Sequence, residues 1–245
     1  MRAQRILSFI CINLLLIAFP PLKAQERPAS ATTNETEPEE EVPFYNGLLI
    51  SVDLFGLGNE FLGGDYISSE ISIEANLKNR FYPVLEAGFG STDTWNDNGI
   101  HYKSSAPFFR IGMNYNTMYK KNNRNYLYVG ARYGFSTFTY DVKSMEFEDP
   151  VFGGSLDNPN LIDNIWWGSV PYNHPGMKGT LHWFEIVTGV RAHIWKDLSM
   201  GWTVRLKYHL SSSISEYGDP WYVPGFGKYS SNLGVTYTIT YKLPF

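Results

Sequence analysis

The sequence predicts an all-β chain: an antiparallel, up-and-down transmembrane β-barrel of eight strands with four long outer loops. Three observations carry that expectation. Eight segments alternate with period two, apolar on one face and small, polar or charged on the other. The links between them alternate strictly between tight and long, as in barrels with short inner turns and long outer loops. Charged residues sit on the face opposite the apolar one, the reverse of a water-soluble barrel with an apolar interior.

The segment 233–241 shows the alternation most cleanly. Leu233, Val235, Tyr237, Ile239 and Tyr241 point one way; Gly234, Thr236, Thr238 and Thr240 point the other. Taken in order, the eight segments are 45–54, 66–77, 80–90, 108–119, 126–138, 181–194, 198–210 and 231–241. Most match or slightly exceed the ~9–11 residues of a tilted membrane-crossing strand. Links two, four and six are tight: Lys78-Asn79, residues 120–125, and Trp195-Lys196-Asp197. Links one, three, five and seven cover 55–65, 91–107, 139–180 and 211–230. A ten-stranded barrel is the alternative, with a further hairpin inside 139–180, because that stretch is long for a structureless loop.

Ahead of the barrel, residues 1–24 read as a secretory signal. Arg2 and Arg5 precede an apolar run from Ile6 to Phe19, too short for a membrane helix, with Ala24-Gln25 as the cleavage point. The single cysteine, Cys11, falls within it, so disulfides and thiol chemistry are not expected after cleavage. Residues 25–43 form an acidic tether rich in Glu and Pro with little to bury, expected to be disordered. Residues 44–245 make the barrel. With eight strands both of its ends lie at the tight-turn side, expected to be periplasmic.

The faces set the interior. Leu48, Ile50, Val52 and Leu54 in strand one, Ile71 and Ile73 in strand two, and Trp202, Val204 and Leu206 in strand seven are expected to face lipid. Asp53, Glu70, Glu74, Glu86, Arg110, Arg132, Glu185, Arg191, Arg205 and Lys207 are expected to face the lumen. A barrel of eight strands is filled by side chains, so these residues are read as a cross-lumen ion network. A narrow conducting path is the functional alternative.

Little chemistry stands out. No phosphate-binding glycine loop, paired zinc histidines or nucleophile elbow is present, and no cofactor or metal site is expected. Acids outnumber lysines in the long links and the formal net charge is −4, which sets nucleic acid aside as a partner. Trp95, Trp166, Trp167, Tyr172, Trp221 and Tyr222 are candidate contacts for a surface glycan or protein ligand. The run from Asp219 to Gly227 has prolines and glycines that would fix one loop conformation over the barrel mouth.

Two resemblances add to this reading. Asn232, Gly234, Tyr237, Ile239 and Phe245 resemble the assembly signal of outer-membrane barrels, with Pro244 a departure; the resemblance implies outer-membrane lipid, lipopolysaccharide and the barrel assembly machinery as partners. With the Ala-Gln signal end and the strand count, residues 44–245 resemble the small uncharacterised outer-membrane barrels of Bacteroidota-type Gram-negative bacteria. That implies a non-enzymatic role in envelope integrity or surface recognition. Separately, His209-Leu-Ser211 with Glu216 is similar to the His-x-Ser pair and acid of lipid A deacylases, which implies an alternative hydrolase reading. In a strand, a His two residues before a Ser shares its face. A periplasmic lipocalin-like carrier of a small hydrophobe is the other alternative.

Overall fold

The computed structural model describes residues 42–59, 63–96, 99–120, 124–144 and 173–244. The expected signal segment and most of the tether lie outside them, as do Trp166, Trp167, Tyr172 and Phe245. Strand β1 (Tyr45–Asp53) leads into one helical turn, α1 (Leu54–Gly58). There follow β2 (Tyr66–Leu77), β3 (Phe81–Trp95), β4 (Ile100–Asn116), β5 (Tyr126–Ser144), β6 (Asn173–Trp195) and β7 (Leu198–Ser213). A miniature hairpin, β8 (Tyr222–Val223) and β9 (Gly227–Lys228), precedes β10 (Leu233–Lys242).

Every main strand pairs antiparallel with its neighbours, and the sheet closes as β1-β10-β7-β6-β5-β4-β3-β2. The ring closes on eight strands, so the ten-stranded alternative is set aside. Tight reversals sit at one end. Lys78 and Asn79 both have φ of 53°, the left-handed pair at the centre of a turn that the Arg80 amide closes on the Leu77 carbonyl at 3.0 Å, with a twist that matches the flanking strands.

The strands run further than the sequence analysis placed them, and the extra length is one-sided. Beyond the expected ends, β3 continues to Trp95, β4 begins at Ile100, β5 continues to Ser144 and β6 begins at Asn173. The reason is a reversal of which face is apolar. Near the tight turns Phe109, Ile111 and Met113 of β4 face outward while Arg110 and Asn114 are buried. Past Phe108 the same strand buries Tyr102 and Ala106, exposes Lys103 and Ser105, and turns a half-buried His101 to the same outer side. Strand β5 switches between Phe135 and Phe138, and β6 between Trp183 and Glu185. Leu54, expected in strand one, instead starts α1, because the Asp53 carboxylate caps that turn at the Phe55 and Gly56 amides.

The interior is therefore layered. The tight-turn end holds Asn46, Asn76, Asn79 and Asn116 joined by side-chain hydrogen bonds. Charged side chains fill the middle. The long-loop end is an apolar cluster of Tyr102, Phe108, Phe138, Tyr140, Met177, Leu181 and Trp183 with Tyr222, Val223 and Phe226 from the hairpin.

Candidate functional site

The ten lumenal residues named from sequence are the ten charged residues buried among those described. Six of them meet in one cluster, one from each of six consecutive strands: Glu70, Glu86, Arg110, Arg132, Glu185 and Arg205 from β2 to β7. Glu86 lies directly across from Arg110, and Arg132 across from Glu185. Arg110 reaches all three carboxylates, at 2.5 Å to Glu70, 3.1 Å to Glu86 and 3.1 Å to Glu185. Arg205 does the same from the other side, at 2.8, 2.8 and 3.2 Å. Arg132 donates to Glu86 at 2.9 Å and to the Asn114 side-chain oxygen Oδ1 at 2.8 Å. The Trp183 indole donates to Glu185 at 2.7 Å.

Three acids and three guanidiniums leave the cluster formally neutral, which is what a water-poor interior requires of charge. Small residues make room for it. A Cβ on Gly112 would stand 2.7 Å from the Arg132 side chain. A second, separate pair lies toward the tight turns: Arg191 holds Glu74 at 2.6 Å and also donates to the Tyr126 hydroxyl at 2.7 Å.

The other two lumenal charges do not join ion pairs, a correction to the expected network. Asp53 accepts from the Phe55, Gly56 and Tyr237 amides. Lys207 donates to the Phe226 carbonyl and lies over the Phe226 ring. Both are spent on local backbone, because α1 and the β8–β9 hairpin bring unpaired main-chain groups beside them.

That hairpin is a plug. Val223 and Phe226 are fully buried inside the barrel mouth, Tyr222 nearly so, and Phe226 meets Trp183 edge-on at 5.8 Å. Four strand residues grip its backbone. Arg110 donates to the Gly225 carbonyl at 2.6 Å, Tyr102 to Tyr222 at 2.7 Å and Tyr140 to Gly218 at 2.8 Å, with Lys207 on Phe226. Gly225 has φ of +80°, and a Cβ there would collide with the Phe108 ring. The expected fixed loop is thus threaded into the lumen and tied to the ion cluster through Arg110.

This placement removes Tyr222 as an outer contact candidate: its ring is buried against Tyr66. Trp221 is half-buried, between Tyr102 and Lys228. Trp95 remains half-exposed on the outward face, beside His101 at 4.8 Å and under Lys143. Nearby, hydrogen bonds from Lys103 and His101 hold the Asp93 carboxyl below its usual range.

His209 and Ser211 do not share a face. The β6–β7 register shifts between His182 and Trp183, so His209 pairs with inward Trp183 while Ser211 pairs with outward His182. Leu210 is the extra residue, and directly paired residues of an antiparallel ladder share a face. The His209 ring instead packs on Phe226 and Tyr229. Glu216 lies in the link that follows β7, outside the strand that carries both. The face sharing inferred from alternation is corrected by that bulge.

Of the terminal-strand residues, Tyr237 and Ile239 face outward, with the Tyr237 ring tilted against Trp202 at 4.6 Å. Gly234 sits opposite Arg205 near Lys207, and the Asn232 carbonyl accepts from the Lys207 amide.

A closed, eight-stranded up-and-down barrel with an ionic waist and a self-inserted hairpin defines the class. Residues 5–245 match the family described as Domain of unknown function (DUF6048), and the chain belongs to that family. Compared with curated proteins, the sequence matches none.

Proposed function

We propose that the protein is a sealed, non-enzymatic outer-membrane barrel, of the kind found in Bacteroidota-type bacteria. In this reading it supports the envelope and presents its outer loops for recognition. The observation that carries the reading is the switch of the apolar side along β4, β5 and β6. On the tight-turn half, apolar side chains such as Leu85, Ile111, Val129, Ile186 and Leu206 are exposed outward while charges are buried. On the other half, polar residues face out and apolar ones pack inward. A strand standing wholly in water has no reason to reverse. One that leaves lipid for water does, because its outer face must then become polar. The tight turns would lie in the periplasm and the hairpin at the cell surface.

The lumen carries ions at its waist and a plug at its mouth, which supports a sealed scaffold over a pore or a hydrophobe carrier. Outer-membrane lipid, lipopolysaccharide and the barrel assembly machinery would be its partners, and among the described candidates Trp95 is the exposed aromatic left for a glycan or protein ligand. The test is gel mobility of the detergent-extracted protein with and without boiling, alongside outer-membrane fractionation. A heat-dependent shift with outer-membrane residence is expected. A protein without a shift, free in the periplasm, would overturn the reading.

A further inference from the structure

Along the register row Phe109, Phe135, His182 and Ser211, the outward face of β4 to β7 reaches the edge of its apolar half. Phe109 and Phe135 stack at 5.6 Å. His182 is the one imidazole of this row. Its Nδ1 is hydrogen-bonded to the Tyr133 hydroxyl at 2.8 Å, and its ring stacks on Tyr133 and Phe135. That fixes the ring and leaves Nε2 directed elsewhere, with no protein partner among the described residues. An ionisable group on a lipid-facing surface is costly and marks a function by default.

The bulge at Leu210 adds a second, independent observation. Without it, Ser211 and Ser213 would continue the phase of His209 and point into the lumen. With it, Ser211 stands across from His182 and Ser213 across from Thr180, all on the outer face. Bulges of this kind re-aim side chains next to functional sites. Four residues along β6 from His182, about 13 Å at ordinary strand rise, Lys178 also points outward. Thr180 lies midway. The neighbouring lysines on this wall are engaged, Lys103 with Asp93 and Lys143 over Trp95, whereas among the described residues the Lys178 ammonium has no ion pair or ring contact.

A fixed imidazole, aligned hydroxyls and an unpaired ammonium at an apolar boundary suit one occupant. We propose that this patch holds the phosphate of an anionic lipid headgroup, seated near Thr180 between His182 and Lys178, with its acyl chains over Phe135 and Phe109. The proposal rests on the membrane-spanning reading above. The phosphate complements Lys178 in charge, Ser211 and Ser213 donate to its oxygens, and the boundary position sets the headgroup depth.

The experiment uses the full barrel in neutral detergent micelles, titrated calorimetrically with dihexanoyl phosphatidic acid, dihexanoyl phosphatidylcholine and inorganic phosphate. Saturable binding of phosphatidic acid is expected, weakened in a His182→Phe/Lys178→Met variant by about tenfold or more, the worth of one charge-assisted hydrogen bond. Ser211→Ala should weaken it less. Both changes lie on the outer surface, so the boiling-dependent gel shift should persist and certify folding. Equal binding of phosphatidylcholine, equal binding of inorganic phosphate, or an unaffected double variant would each overturn the site. Failure of the membrane reading would look different: a wild-type protein that stays monodisperse without detergent and shows no gel shift.

Discussion

Arg205 is the residue on which the ion cluster turns, and removing it should expose how that cluster is balanced. Its guanidinium contacts Glu70 and Glu86 at 2.8 Å and Glu185 at 3.2 Å, all with side chains at most 7 % exposed. At an effective dielectric near 20, each attraction at about 4 Å is worth ~4 kcal/mol, so three give roughly 12 kcal/mol gross. Repulsion from Arg110 and Arg132 and the desolvation of the guanidinium itself oppose most of that. What a truncation reports is the carboxylate left uncompensated: three acids would face two guanidiniums. Breaking a buried pair in this way costs about 3–5 kcal/mol. Arg205→Met should therefore lower the unfolding free energy by that amount, read from urea titration of tryptophan emission in lipid vesicles. Adding Glu70→Gln restores neutrality, so the double variant should be less destabilised than the two single variants summed, by about 1 kcal/mol or more. Additive losses, or an Arg205→Met barrel as stable as wild type, would refute an interdependent cluster.

Three further outcomes follow from the geometry. Gly225→Ala places a side chain at positive φ against Phe108, so the plug should lose about 1–3 kcal/mol of seating and a cysteine placed at Val223 should become reactive to thiol reagents. Leu206 is exposed between Ile186 and Leu233, and Leu206→Arg should destabilise the barrel by about 2–4 kcal/mol in bilayers; no loss would count against lipid contact. Asp93 is held below its unfolded value of 3.8 by Lys103 and His101. A depressed acid contributes stability above its unfolded value and loses it as pH falls through the folded value. The His101 resonances should thus lose the Asp93 contact only below about pH 4, and Asp93→Asn should abolish that transition.

The strand count, the tight turns and the ten buried charges were legible because each depends on a local alternation that the sequence displays. The strand ends were not, for a physical reason. Following apolar-out alternation ends β4 at Phe108, yet Tyr102, Ala106 and Phe108 keep the same period with the opposite sense. A period-two pattern carries no label for which side is water. The plug was half legible: Pro220, Pro224 and Gly225 announce a fixed loop, but nothing local says that Arg110 and Lys207, more than a hundred and almost twenty residues away respectively, will hold its carbonyls. The bulge at Leu210 was invisible, since only pairing with β6 reveals an inserted residue. It put Ser211 on the wrong face and so hid its place beside His182.

The ionic waist also answers a problem that the outer face creates. A strand apolar on both sides can slip by two residues in register with little loss of contact, and by one with no polar group to object. Here Glu86 must meet Arg110 across β3 and β4, and Arg132 must meet Glu185 across β5 and β6. A one-residue slip of β4 would turn Arg110 to the apolar outer face, at a cost of about 2–4 kcal/mol if that face lies in a bilayer as proposed, and would strand Glu86 inside. A two-residue slip would keep the faces but draw Arg110 away from its carboxylates and leave the Gly225 carbonyl unheld. Buried ion pairs are weak sources of net stability, and fixing register is the use for which they are best suited. The cluster thus does for the closed ring what an apolar core cannot do when the apolar side points outward: it distinguishes one pairing of the strands from its neighbours, and the plug inherits its position from that choice.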